Sequence, residues 1–298
     1  MKVTKQDRSG FYFKAAHTLL RNNKAFLFLL PGLFGFMLFY IWPFIYSMGY
    51  AFADKPINGN FAGIQNFVEL INNKSYLKGL KNTIFFIGVS VPVNMLLSLI
   101  VAMAINKLKI GKTYFSLLFL IPLVIPSGSM VLFWKSLFAI DGTINGFLHT
   151  LGIQPINWLE TSNVRFVIIL IFIWKNLGYN MVLFISGLSN IPKQYYEAGQ
   201  VDGAGRFDVF RHITVVYLLP TFVLVIIMSI INSFKVFKEI YLITGSYPHD
   251  SIYILQHFMN NMFNSLDYQK LTTATVILVF CITVLTQLLF KAERRVSQ

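Results

Sequence analysis

The chain has 298 residues, of which 55% are apolar and only 12% charged. A soluble globular domain usually carries about 25% charged residues, so an ordinary soluble protein is excluded. The formal net charge of +13 sits on an apolar chain, which suits the basic cytoplasmic loops of a membrane protein better than a nucleic-acid binder. The single cysteine, Cys281, excludes an internal disulfide and any thiolate metal cluster.

A helix crosses the bilayer in about 20 mostly apolar residues, and six charge-poor intervals meet that length in chain order. Residues 1–24 form a basic leader, expected to be cytoplasmic, and Ala25 to Ala53 is then free of charge. This first interval is too long for a signal-peptide core and no small-x-small cleavage pattern follows it, so it reads as an uncleaved anchor. Asn82 to Asn106 and Thr113 to Trp134 follow. In the latter, Pro122 and Pro126 bracket Leu-Val-Ile and predict a kinked or locally opened helix. Gly142 to Leu159, rich in Gly and Asn, reads as a loop with one short helix.

Phe166 to Pro192 is interrupted only by Lys175. Two readings of that lysine stand: it snorkels to the outer interface, or it walls a hydrated cavity. Asn176 and Asn180, four apart on one helix face, either glue helices together or meet a polar solute. His212 to Phe234 and Leu271 to Phe290 complete the six, and Asn232, Ser233 and Lys235 close the fifth with a second polar cluster. The polar interval Ser251 to Leu266 is assigned outside the bilayer.

The expected architecture is therefore all-α and polytopic. Its spans are about 25–53, 82–106, 113–134, 166–188, 213–234 and 271–290, within a 25–290 membrane domain followed by a 291–298 tail. With both termini cytoplasmic, the inner segments hold 15 of the 25 Lys and Arg, for a net +10 inside against +2 outside. All 12 acids fall outside the span cores on this reading, with Glu239 nearest. That disfavours a proton- or sodium-coupled carrier, which keeps ion-coordinating groups inside the bilayer.

The loop 190–213 is the most informative segment. Pro192 opens a short helix, Asp202-Gly203 turns it, and a second short helix starts near Gly205 with Phe207, Phe210 and Ile213 on one face. Glu197-Ala198-Gly199, then Gly203, then Ile213 after nine intervening residues, resembles the EAA signature of ABC importer permeases, E-A-A-x-x-x-G-x(9)-I-x-L-P. Gly199 replaces an alanine, and Val215-Val216 stand where Leu-Pro is expected. The string Ile191 to Thr214 is especially similar to carbohydrate permeases of the maltose and glycerol-phosphate type. Leu30-Pro31-Gly32, Trp42-Pro43, Asn82-Thr83, Ile121-Pro122, Ile125-Pro126 and Leu242-Ile243-Thr244-Gly245 extend the resemblance over nearly the whole chain, toward the first-subunit type.

The resemblance implies a type I importer permease fold in a prokaryotic inner or plasma membrane. It implies an ABC ATPase dimer, a second homologous permease, an extracytoplasmic solute-binding protein and a carbohydrate substrate as partners, and no nucleic acid. It places coupling to the ATPase on Glu197, Ala198, Asp202, Gly203 and Ala204. Substrate contacts would fall on Leu123, Ser127, Trp174, Leu177, Gly178, Met181, Asn232, Ser233 and Val236, and the residue-level reading adds Asn176. The chain would carry no cofactor, with ATP and Mg bound on the partner ATPase. In agreement, Gly111-Lys112-Thr113 lacks the first glycine of a P-loop, where Asn106 stands, and HExxH, paired-cysteine and GxSxG motifs are absent. The rival classes are a secondary carrier and an intramembrane enzyme or assembly factor.

Overall fold

In the computed structural model, residues 23–55, 59–108 and 110–296 are described, so residues 1–22 of the 1–24 leader and residues 297–298 of the tail lie outside them. The described residues are helical apart from short connections and one isolated bridge between Ala53 and Phe61. The helices are α1 (Asn23–Phe36), joined by a π-turn at Met37–Ile41 to α2 (Trp42–Tyr50); α3 (Gln65–Ile71); α4 (Lys74–Asn106); α5 (Lys112–Val124); α6 (Ser127–Phe138); and α7 (Thr143–Thr150). They continue with α8 (Val164–Ser189), α9 (Lys193–Val201), α10 (Arg206–Val209), a π-turn at Phe210–Thr214, α11 (Val215–Lys235), α12 (Phe237–Thr244), α13 (Leu255–Asn264) and α14 (Tyr268–Val296).

Five helical runs are long and apolar enough to cross a membrane: Leu27–Tyr50, Lys74–Asn106, Val164–Ser189, Arg206–Thr244 and Tyr268–Arg294. A bent helix pair is the candidate for a sixth. Lys112–Val124 and Ser127–Thr150 meet at 91°. Of the two prolines expected to bend this segment, Pro122 stays inside α5 and the break falls at Ile125-Pro126, both extended with ψ of 128° and 136°. The cause is the proline ring, which disfavours helical backbone at the residue before it.

Helix α8 is central, packing along α4, α5 and α11. Its N-terminal half joins Phe86, Trp134, Phe138, Ile168, Phe172 and Ile240 in one buried cluster, and its C-terminal half joins Leu99, Phe184, Leu188 and Leu218 in a second. Gly178 lets α5 approach closely: a Cβ there would lie 1.9 Å from the Phe119 carbonyl oxygen. A third cluster, Leu70, Tyr76, Tyr253, Leu255 and Phe258, ties α3, α4 and α13 together at the opposite end from the 190–213 loop.

The Asn82-Thr83 pair proves to be a staple for this end. Asn82 Nδ2 donates to the carbonyls of Asp250 (2.7 Å) and Tyr253 (2.9 Å), and its Oδ1 accepts from Arg165 Nη2 (3.2 Å). The Leu255 N–H donates to Thr83 Oγ1 (2.9 Å). Lys78 pairs with Asp250 at 2.7 Å and holds that carboxyl below the usual carboxylate range.

Candidate functional site

Two features carry the chemistry: the exposed 190–213 loop and a polar cavity halfway along α8. In the loop, Pro192 precedes the first turn of α9, and Gly203 takes a left-handed backbone with φ of +73°. A side chain with a Cβ resists that conformation. The Ala204 N–H returns to the Gly199 carbonyl at 2.8 Å, closing the turn. Glu197, Ala198, Asp202, Gly203 and Ala204 are all exposed on this knob.

The expected second helix does not stand apart from the fifth span. α10 continues through the π-turn into α11 and on to Thr244, a 39-residue helical run. The predicted Phe207–Phe210–Ile213 face divides accordingly: Phe207 is 70% exposed, whereas Phe210 and Ile213 pack on the second core cluster. A π-turn adds one residue per turn and re-aims the helix face, and the bond from Tyr196 Oη to Thr214 Oγ1 (3.2 Å) fixes it against α9.

The cavity, about 220 Å³, lies between the α5–α6 break, α8 and the α11–α12 junction. Of the sequence-predicted contacts, Leu123, Asn176, Asn232 and Val236 line it. Ser127 reaches it through Glu239, donating from Oγ to Oε1 at 3.0 Å. The other positions lie elsewhere. Trp174 packs edge-on against Trp134 (5.5 Å) and borders an apolar recess with Leu118, Phe119, Pro122 and Leu177. Gly178 is covered by α5, Met181 is fully buried in the second cluster, and Ser233 Oγ donates to its own helix at Ile230 (2.6 Å).

The span reading left out Glu239. It is 2% exposed and its Oε1 accepts from Lys175 Nζ at 2.5 Å. Lys175 therefore neither snorkels nor stands alone; it forms half of an ion pair between α8 and α12 on the cavity wall. Two signals could have found this: a lone lysine in an apolar span needs a counter-charge, and Glu239 is the acid nearest any span core. The absence of embedded acid thus ceases to argue against an ion-coupled carrier. The two asparagines realise both expected roles. Asn176 faces the cavity, and Asn180 Nδ2 donates to Ser229 Oγ at 2.9 Å, joining α8 to α11.

At the other end, a groove of about 550 Å³ runs between Glu160 and Tyr247 to His249, where the segments 142–163 and 247–268 meet. His257 in α13 is fully buried against Phe237 and Tyr253, and burial lowers its pKa to about 4. Among the described residues no cluster of three His, Cys, Asp or Glu side chains could hold a metal ion.

The architecture matches a solved bacterial ABC transporter involved in the import of the acidic polysaccharide alginate. The TM-score is 0.81 at 20% identity, covering 96% of this chain and all of the other. The fold is thus that of an ABC importer permease, an all-α multi-pass membrane protein. Residues 59–298 match the model for binding-protein-dependent transport system inner membrane components, and the chain belongs to that family. Similar curated proteins include the lactose transport system permease protein of Rhizobium radiobacter, 29% identical over 90% of this chain and 93% of the relative. Another is the arabinooligosaccharides transport system permease protein of Bacillus subtilis, 31% identical over 76% of this chain and 74% of the relative.

Proposed function

We propose that the chain is a membrane-spanning subunit of an ABC importer that moves a sugar or oligosaccharide inward by alternating access, with ATP hydrolysed on partner subunits. The observation that carries this reading is mechanical. The helical run that carries the cavity wall at Asn232 begins at Arg206, directly after the exposed turn at Gly203. Arg206 to Asn232 spans roughly 40 Å at about 1.5 Å per residue. A rigid helix transmits displacement along its length, so a partner ATPase that shifts the knob also shifts the cavity wall.

Glu197, exposed on α9, offers a carboxylate to a basic group in the ATPase groove, and Gly203 holds the turn that shapes the knob. A loaded binding protein docks at the opposite end, over the groove between residues 142–163 and 247–268. The second permease completes the path across the cavity. Both termini face the cytoplasm, where the basic segments concentrate. The carbohydrate reading is supported by the lactose and arabinooligosaccharide relatives and by the neutral amides of Asn176 and Asn232, which suit hydroxyl groups.

Purification from the native membrane tests the assignment. It should bring down an ATPase and a second multi-pass permease with this chain. A preparation of this chain alone that carries out uptake in vesicles refutes it.

A further inference from the structure

The charges on the cavity wall do not balance. Two ammonium groups, Lys175 and Lys235, face it with one carboxylate, Glu239. Glu239 is already engaged, its Oε1 accepting from both Lys175 and Ser127. Lys235 Nζ instead donates to a neutral acceptor, Asn232 Oδ1, at 3.0 Å, and among the described residues no carboxylate pairs with it.

The remaining hydrogen-bonding capacity is asymmetric. Asn232 has its Oδ1 occupied by Lys235, which leaves its amide hydrogens as donors beside the ammonium on the α11 wall. Asn176 has its Nδ2 directed to the Phe172 carbonyl at 2.8 Å, which leaves its Oδ1 as an acceptor on the α8 wall. The volume of about 220 Å³ equals about seven waters at 30 Å³ each, room for one sugar unit.

Resting on the permease reading above, we propose that this cavity takes a sugar unit bearing an anionic group, a carboxylate or a phosphate, and that Lys235 is the specificity-determining residue. The oxyanion accepts from Lys235 and from the Asn232 amide, and a ring hydroxyl donates to Asn176 Oδ1. A neutral sugar satisfies the amides but leaves Lys235 without a counter-charge, so the discrimination falls on that one residue.

The test is ligand-observed NMR titration of the assembled importer, without its binding protein, in nanodiscs of zwitterionic lipid. Galactose, galacturonate and galactose 6-phosphate are the probes. A partly exposed charge pair is worth up to about fivefold in affinity. At low salt at least one acidic sugar should bind about fivefold more tightly than galactose, and the tighter of the two acids identifies the anionic group. Lys235 is exposed, so its substitution leaves the fold intact. Lys235→Met should abolish the preference and Lys235→Glu should reverse it. Equal binding of galactose by the wild type, or a preference that survives Lys235→Met, overturns the proposal while leaving the importer reading in place. Failure of all three sugars to bind also overturns the proposal, whereas the importer reading falls only if no ATPase and second permease co-purify.

Discussion

Breaking the Lys175–Glu239 pair should reveal a strong coupling between α8 and α12. At a separation of 2.5 Å and an effective dielectric of about 20, the gross attraction is about 6–7 kcal/mol. Much of that is offset by removing both charges from water, so the net worth of the pair is far smaller. Removal of one partner is another matter, because the survivor is stranded: the Glu239 side chain is only 3% exposed and the Lys175 side chain 21%. Stranding a buried charge costs about 3–5 kcal/mol. Lys175→Met and Glu239→Leu should each destabilise by about that amount, with the double variant within about 1–2 kcal/mol of the wild type. Unfolding of the purified chain in mixed detergent micelles measures all four corners of the cycle. Additive single effects would show that the two groups do not interact and would refute the reasoning.

Gly178→Ala sets a Cβ 1.9 Å from the Phe119 carbonyl oxygen, where an unstrained C···O contact needs about 3.3 Å. The partner is backbone, so α5 must move, and a loss of about 1–3 kcal/mol should appear as a lower thermal midpoint; an unchanged midpoint contradicts the packing. Asn82→Ala should leave the Asp250 and Tyr253 carbonyls without their donor, costing about 1–3 kcal/mol and speeding proteolysis of the 246–254 segment. His257 has a folded-state pKa near 4 against an ordinary 6.5, so the unfolded chain takes up the proton first. Its contribution is complete above about pH 6.5 and is lost as pH falls toward 4, at most about 3 kcal/mol. His257→Gln should flatten the decline of the thermal midpoint between pH 7 and 5, and an unaltered decline would place the titrating group elsewhere.

The apolar cores of the spans were readable from charge-free length, because hydrocarbon excludes unpaired charge whatever the tertiary packing. Their ends were less so. α4 begins at Lys74, eight residues before the interval that identified it, since lysines at a helix end reach water along their stems. The fifth run reaches Thr244 and carries Glu239 with it, because a buried counter-charge on α8 makes an embedded acid tolerable. In the cavity, sequence reasoning found Asn176 and Asn232, whose amides need partners in an apolar span. It could not tell that Ser233 and Met181 face away, because helix rotation is set by packing between helices and one residue of shift turns a side chain by about 100°. The loop was the most legible part: the left-handed backbone at Gly203 is what a glycine after Asp202 suggests.

The central claim, that an exposed knob drives the cavity from outside the membrane, is tested most directly by ATP-driven uptake in proteoliposomes holding the complete importer. Glu197→Lys and Gly203→Asp should insert and assemble as the wild type does yet lose coupled uptake, the former by charge reversal and the latter by forcing a Cβ into the left-handed turn. Normal uptake by both variants would contradict the account.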